Sequence, residues 1–208
     1  MTGTELISFS NYLIGEEHFD VTSADDLIFL NIKKDAIELD MDWEFLKTQA
    51  TLTGDDLPTD FLKPLARNSL FIGFVPYEQV ALADNQLNSG LTYYINYTTN
   101  KIYLVDGASL SGAILNYIKK TSDLTASTSP VWPKCHELIS YDLAIEYLDS
   151  LDFDEINMAK AQRLSAKREK IWNGLVDLNS RLALASMNYQ MSNGTVGVND
   201  LNKINIYA

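Results

Sequence analysis

The chain carries few residues whose types and spacing could do chemistry. His136-Glu137 opens the His-Glu-x-x-His pattern, which on a helix turns two imidazoles to one face for zinc and leaves the glutamate as base. The position of the second imidazole is Ser140, so the ligand pair is missing. Cys135 precedes His136, and on a helix such neighbours diverge by about 100°, out of reach as nucleophile and base. Cys135 is therefore expected to be a small buried residue. The acid pairs Asp25/Asp26, Asp40/Asp42 and Asp152/Asp154 could act on a glycosidic bond or hold a cation. In a chain with 28 acids such pairs arise by chance and belong to solvated faces. Glycine-rich phosphate loops and the Gly-x-Ser-x-Gly elbow are missing from the sequence. The expectation is a chain without catalytic residues, cofactor or metal, and with Trp43, Trp132 and Trp172 in the core or an interface.

Charge is unevenly spread over the 208 residues, whose net value is −12. The first 60 residues hold fourteen acids against three bases, whereas 156–181 hold two acids against six bases. Those bases, Lys160, Arg163, Lys167, Arg168, Lys170 and Arg181, read as partners for acidic surface, and nucleic-acid binding is not expected. A single cysteine and two histidines exclude disulfide frameworks and classical zinc modules. No apolar run approaches the roughly 18 residues of a membrane span, and the first residues lack a secretory signal pattern, so a soluble protein made in the cytosol is expected.

The elements that must position these residues follow from periodicity. The organising stretch is Pro130 to Tyr189. Pro130 and Pro133 restrict the backbone, so a helix is expected to begin near Pro133. Leu138, Tyr141, Ile145, Leu148 and Leu151 form its apolar stripe, with Glu137, Asp142, Glu146 and Asp149 between them. Asp152 and Asp154 mark a turn, with Asp154 as helix cap. A second arm follows with Leu164, Ile171, Leu175, Leu178, Leu182, Ala185 and Tyr189 near heptad spacing. Upstream, Thr4 to Ile14 reads as a short helix stopped by Gly15. A helix capped by Ser23 is expected to run to about Phe45. Its two stripes, Leu30, Ile37, Met41, Phe45 and Phe29, Ile32, Ala36, Leu39, Trp43, call for a bundle that covers more than half its circumference.

Between the helical parts the period changes to that of strands. Thr48 to Thr53, Leu70 to Val75, Leu91 to Tyr97, Lys101 to Val105 and Ala113 to Ile118 are short β-rich runs. Turns fall at Gly54-Asp55-Asp56, Thr98-Thr99-Asn100-Lys101 and Asp106-Gly107. The expected class is α+β: a helical bundle with a long C-terminal helix hairpin and an inserted small antiparallel β region of four to six strands. The expected organisation is a bundle from 1–47 and 130–190, a β-rich insertion at 48–129 linked back through polar 121–129, and a loose tail at 191–208.

The order of these features resembles the head-to-tail adaptor proteins of tailed bacteriophages. It comprises an acidic helix pair, Leu57-Pro58-Thr59-Asp60-Phe61, the Leu91 to Val105 hairpin, Ala113 to Lys120, and Pro130-Val131-Trp132-Pro133 opening an amphipathic helix. The resemblance covers roughly residues 4–185. It implies a structural virion protein of the neck, a homo-oligomeric ring of about twelve copies that binds the portal protein and a tail or nozzle protein. Such a ring extends the channel for genome ejection, and DNA passes without specific binding because the acidic chain repels phosphate. It further implies that the tail docks on the portal, here through Ile204, Ile206 and Tyr207. Asp142, Glu146 and Asp149 are expected as lumen acids, and Arg163, Arg168 and Lys170 as a basic face toward the neighbouring subunit. Assembly in the host cytoplasm follows, with no membrane partner. A tail terminator or tail-completion ring protein is the alternative, and a cell-wall hydrolase a more distant one.

Overall fold

A computed structural model describes residues 1–20, 22–81, 90–151 and 155–193, with side chains to 186. The chain divides into two compact units, the first formed by Met1–Phe45 with Thr121–Ser192 and the second built on Leu46–Lys120. The first unit holds helices α1 (Gly3–Ile14), α2 (Ala24–Asp40), α3 (Glu137–Ser150) and α4 (Glu155–Asn193). Helix α1 starts in a reciprocal cap. The Thr2 hydroxyl accepts from the Glu5 amide at 3.3 Å, and the Glu5 carboxylate accepts from the Thr2 amide at 2.8 Å. It stops at Gly15, whose φ of 87° lets its amide reach the Asn11 carbonyl at 2.8 Å. Leu13, Ile14, Tyr141, Ala144 and Leu148 pack with Ala161 and Leu164, so the first half of α4 closes on α1 and α3 as the apolar periodicity requires.

Gly3 is needed for a different reason. Its amide donates to the Thr128 carbonyl at 2.9 Å, and a Cβ there would lie 2.2 Å from the Thr125 carbonyl oxygen. Gly3→Ala is expected to cost about 1–3 kcal/mol by overpacking, read as a lowered denaturation midpoint, whereas Ala at exposed Gly174, where a Cβ meets nothing, is expected not to destabilise.

Three features of the helical unit depart from the periodicity. Helix α2 ends at Asp40 rather than near Phe45, because Met41 turns to extended backbone (φ −135°, ψ 165°). The buried Trp43 then folds back, and its indole N–H donates to the Ile37 carbonyl at 2.7 Å, satisfying one of the helix's last acceptors. Helix α3 starts at Glu137 rather than near Pro133, since Cys135 takes a left-handed backbone with φ of 66°. The two stripes of α2 also part company. Leu30 and Ile37 are buried, whereas Ile28, Phe29 and Ile32 are about half exposed within this chain.

The inner face of α2 packs on α3 and on the segment 121–132, which buries Thr121, Leu124, Pro130 and Trp132. Lys34 and Glu38 are both fully buried there. The Lys34 ammonium donates to the Thr121 carbonyl at 3.1 Å and the Ser122 carbonyl at 3.2 Å, and lies 3.0 Å from the Asp35 carboxylate and 4.0 Å from that of Glu38. Glu38 in turn accepts from the Thr121 hydroxyl at 2.5 Å, the Thr121 amide at 3.2 Å and the Trp132 indole at 3.2 Å. Buried charges persist only when paired and hydrogen-bonded in this way.

The second unit corrects the expected fold class. Its strands are not a small antiparallel insertion in a bundle. They are a large part of a mixed α/β fold, in a curled half-barrel sheet. The seven strands are β1 (Lys47–Thr51), β2 (Phe61–Pro64), β3 (Leu70–Ile72), β4 (Val75–Gln79), β5 (Thr92–Asn96), β6 (Lys101–Leu104) and β7 (Ile114–Lys119). The order is β1-β7-β3-β4-β5-β6, with β2 also on β7. Among the described residues all pairings are antiparallel except β4 with β5, which is parallel at Glu78–Thr92 and Gln79–Tyr93. Residues just after β1 reach the far strand, where the Ile102 amide donates to Asp55 at 2.8 Å and the Leu57 amide to Asn100 at 3.1 Å. This is what curls the sheet. Alternate residues of β5, β6 and β7 point inward, and Tyr93, Ile95, Ile102, Leu104, Leu115 and Tyr117 form a core of their own.

The expected Leu70 to Val75 strand is two strands, because Gly73 (φ 62°) and Phe74 make a tight turn that aligns Ile72 with Val75. The 97–100 connection forms the anticipated hairpin turn between β5 and β6. The Asn96 side chain accepts from the amides of Thr98 and Thr99 at 3.1 and 3.2 Å.

Candidate assembly surfaces

Of the residues weighed for chemistry in the sequence, His136 and Asp26 make structural contacts. The His136 ring accepts from the Met1 nitrogen at 2.8 Å and donates to the Trp132 carbonyl at 2.6 Å. That clamps the approach to α3. Cys135 is partly buried, and burial, then the Glu137 carboxylate, push its thiol above its ordinary value against the opposing pull of Lys134. Cys135 is expected to alkylate several-fold more slowly at neutral pH in the folded protein than in urea, measured by iodoacetamide labelling and intact mass; equal rates refute this. Asp26 serves the entry to α2, accepting from the Asp20 amide at 2.7 Å and donating its own amide to the Ser23 hydroxyl at 3.3 Å. Asp152 and Asp154 lie outside the described residues. Among the described residues no cluster of three or more His, Cys, Asp or Glu has the spacing of a metal site.

A groove of about 940 Å³ runs beside the end of α1 and is lined by Asn11, Tyr12, Glu16, Glu17, His18 and Asp20 among others. Its polar groups shape the loop. Asn11 donates to the Phe19 carbonyl at 2.8 Å and accepts from its amide at 2.9 Å, while the Tyr147 hydroxyl donates to Glu16 at 2.7 Å. The Glu16 carboxylate raises the Tyr147 hydroxyl above its ordinary value by accepting that bond. A second groove in the sheet unit, about 570 Å³, is lined by Arg67, Asn68, Ser69, Tyr77 and Glu78 among others. Nearby, Ser69 and the buried Tyr93 share a 2.5 Å hydrogen bond, and burial pushes the Tyr93 hydroxyl up to about 12.

Of the charged residues expected to face a lumen or a neighbour, Asp142 and Arg168 pair with each other, and Asp149, Arg163 and Lys170 are exposed. Arg168 grips Asp142 with two bonds, Nε to Oδ1 at 2.8 Å and an amino group to Oδ2 at 3.2 Å, and its guanidinium lies 4.9 Å over the Trp172 ring. Glu146 pairs with Lys33 of α2. Asp149 is exposed and borders a small groove with Met158, Ala161, Gln162 and Ser165. Arg163 and Lys170 are exposed on α4, joined by exposed Lys167, which the reading of the sequence grouped with the bases but did not single out. Steps of three and four put Arg163, Lys167, Lys170, Gly174, Asp177 and Arg181 on one outward stripe, four bases against one acid. The docking residues Ile204, Ile206 and Tyr207 lie outside the described residues.

Two surfaces therefore stand out in the helical unit: the apolar outer stripe of α2 and the basic outer stripe of α4. The sequence missed the first because both stripes of α2 satisfy helical periodicity equally well. It also missed the Lys34–Glu38 network. A signal for it existed, since Leu30, Lys34, Ile37 and Glu38 fall at the three- and four-residue spacing of one face. Compared with protein-family models and with curated proteins, the chain has no match.

Proposed function

We propose that this protein is a structural subunit of a tailed-phage neck, a head-to-tail adaptor that assembles with copies of itself between portal and tail. The observation that carries this reading is the state of α2 and α4. Helix α2 leaves Ile28, Phe29 and Ile32 about half exposed on one stripe. Helix α4, about 58 Å long for its 39 residues, turns bases outward in a chain of net charge −12. Contiguous apolar surface and an isolated patch of opposite charge are features of a chain completed by association. The order of sequence elements supplies the neck context. The overall acidity suits a channel wall that DNA passes without adhering, because phosphate is repelled rather than neutralised.

The test is electron microscopy of intact particles of the source phage labelled with antibody against this chain. Label confined to the junction below the capsid is the expected result. Label at the distal tail, or none on the particle, would overturn the reading.

A further inference from the structure

We propose that the outer stripe of α2 in one copy of this chain docks on the outer stripe of α4 in the next, in a head-to-tail contact centred on Ile32 and Gly174. This deepens the assembly reading above and rests on it. The apolar part of α2, Ile28, Phe29, Ile32 and the exposed Ala36, is bracketed by two exposed acids, Asp25 and Asp40. These acids are fifteen residues apart, about 22 Å along the helix. Charge decides what can cover such a face. Antiparallel pairing with the same stripe of another copy would set Asp25 against Asp40 at both ends, so the face is not self-complementary.

The only basic segment of the chain is on α4. There Lys167 and Arg181 stand fourteen residues apart, about 21 Å, with Lys170 and Gly174 between them on the same side. The two spacings match to within one residue rise. Gly174 is the independent observation. A glycine in the interior of a long helix is unfavourable relative to alanine, and a Cβ here would meet no atom of the described residues within 4 Å beyond its own stretch of helix. Nothing among the described residues asks for it. A bulky apolar knob from another molecule does, because the missing Cβ lets that molecule approach the α4 backbone. The exposed Asp177–Arg181 pair, 2.6 Å across one helical turn, costs little to open, which leaves Arg181 able to turn to an incoming carboxylate. Because the two faces differ, each subunit keeps one of each after pairing, and the contact propagates.

The experiment uses the purified full chain in sedimentation velocity over a concentration series, at low and moderate salt. The wild type is expected to self-associate, more weakly as salt rises. Ile32→Glu and Gly174→Gln are each expected to weaken association by at least about 30-fold. Ile32 is half exposed and Gln is a better helix former than Gly, so both variants keep the fold, which circular dichroism checks. Mixed together, the two variants regain one intact α2–α4 contact and are expected to give a one-to-one heterodimer that grows no further. A monomeric wild type, variants that associate like the wild type, or a mixture that stays monomeric overturns the contact. The particle label separates this failure from failure of the adaptor reading. Label at the neck with self-association indifferent to both variants discards the α2–α4 contact and keeps the adaptor, whereas α2–α4 self-association with no label at the neck does the reverse.

Discussion

Lys34→Met is expected to remove about 3–5 kcal/mol of stability from the helical unit, a large share of what a domain of this size has. The ammonium lies beside the Asp35 and Glu38 carboxylates, with Glu38 fully buried. Its loss would take the Lys34 counter-charge from the buried Glu38 carboxylate, and would strip the Thr121 and Ser122 carbonyls of their donor. Glu38→Gln alone is expected to be milder. Asp35 still pairs with Lys34 at 3.0 Å, and the amide oxygen can accept from Trp132. In the double variant Lys34→Met with Glu38→Gln, removal of the fully buried carboxylate should recover part of the loss, a coupling that a double-mutant cycle measures. All three tryptophans lie in the helical unit, so fluorescence-detected urea unfolding reports that unit selectively. A midpoint for Lys34→Met equal to the wild type would refute the network's role.

Trp43→Ala is the second large effect, with an expected loss of about 3–5 kcal/mol. The indole is fully buried, donates to the Ile37 carbonyl, and meets Trp172 edge-on with ring centroids 5.4 Å apart. Next to it the Glu44 amide donates to the Asn179 side chain at 2.7 Å, and Leu175 is fully buried. These contacts tether the second half of α4 to the first 45 residues, as Ala161 and Leu164 tether its first half. The variant should therefore lose hydrogen-exchange protection around residues 172–182 while 157–166 stays protected. Uniform loss along α4 would show that the helix holds as one cooperative unit and that Trp43 is not a local tether.

Both effects bear on assembly. The Lys34 network fixes the inner face of α2 to 121–132, which presents Ile28, Phe29 and Ile32 outward, and Trp43 steadies the helix that carries the bases. A loss at either place is expected to weaken the proposed self-association without touching the proposed contact residues.

The sequence by itself determined the local events of this protein, because each is written in residues close together in the chain. Gly15 ends α1 in a left-handed turn, Ser23 opens α2, and the 97–100 connection turns a hairpin through the Asn96 side chain. The apolar spacing likewise marked α3 and α4. What the tertiary structure decided depends on partners distant in sequence. The short strands formed a curled seven-stranded sheet because β7 pairs with β1, β2 and β3, and because Asp55 and Leu57 reach β6. No run of three to six residues announces such pairings. The polar link was fixed against α2 once Lys34 and Glu38 found partners 83 to 94 residues away. Asp142 of α3 and Arg168 of α4, twenty-six residues apart in the chain, pair with each other. Periodicity gives a helix its apolar and charged faces; which face is covered, and by what, is decided by contacts that only the folded chain brings together.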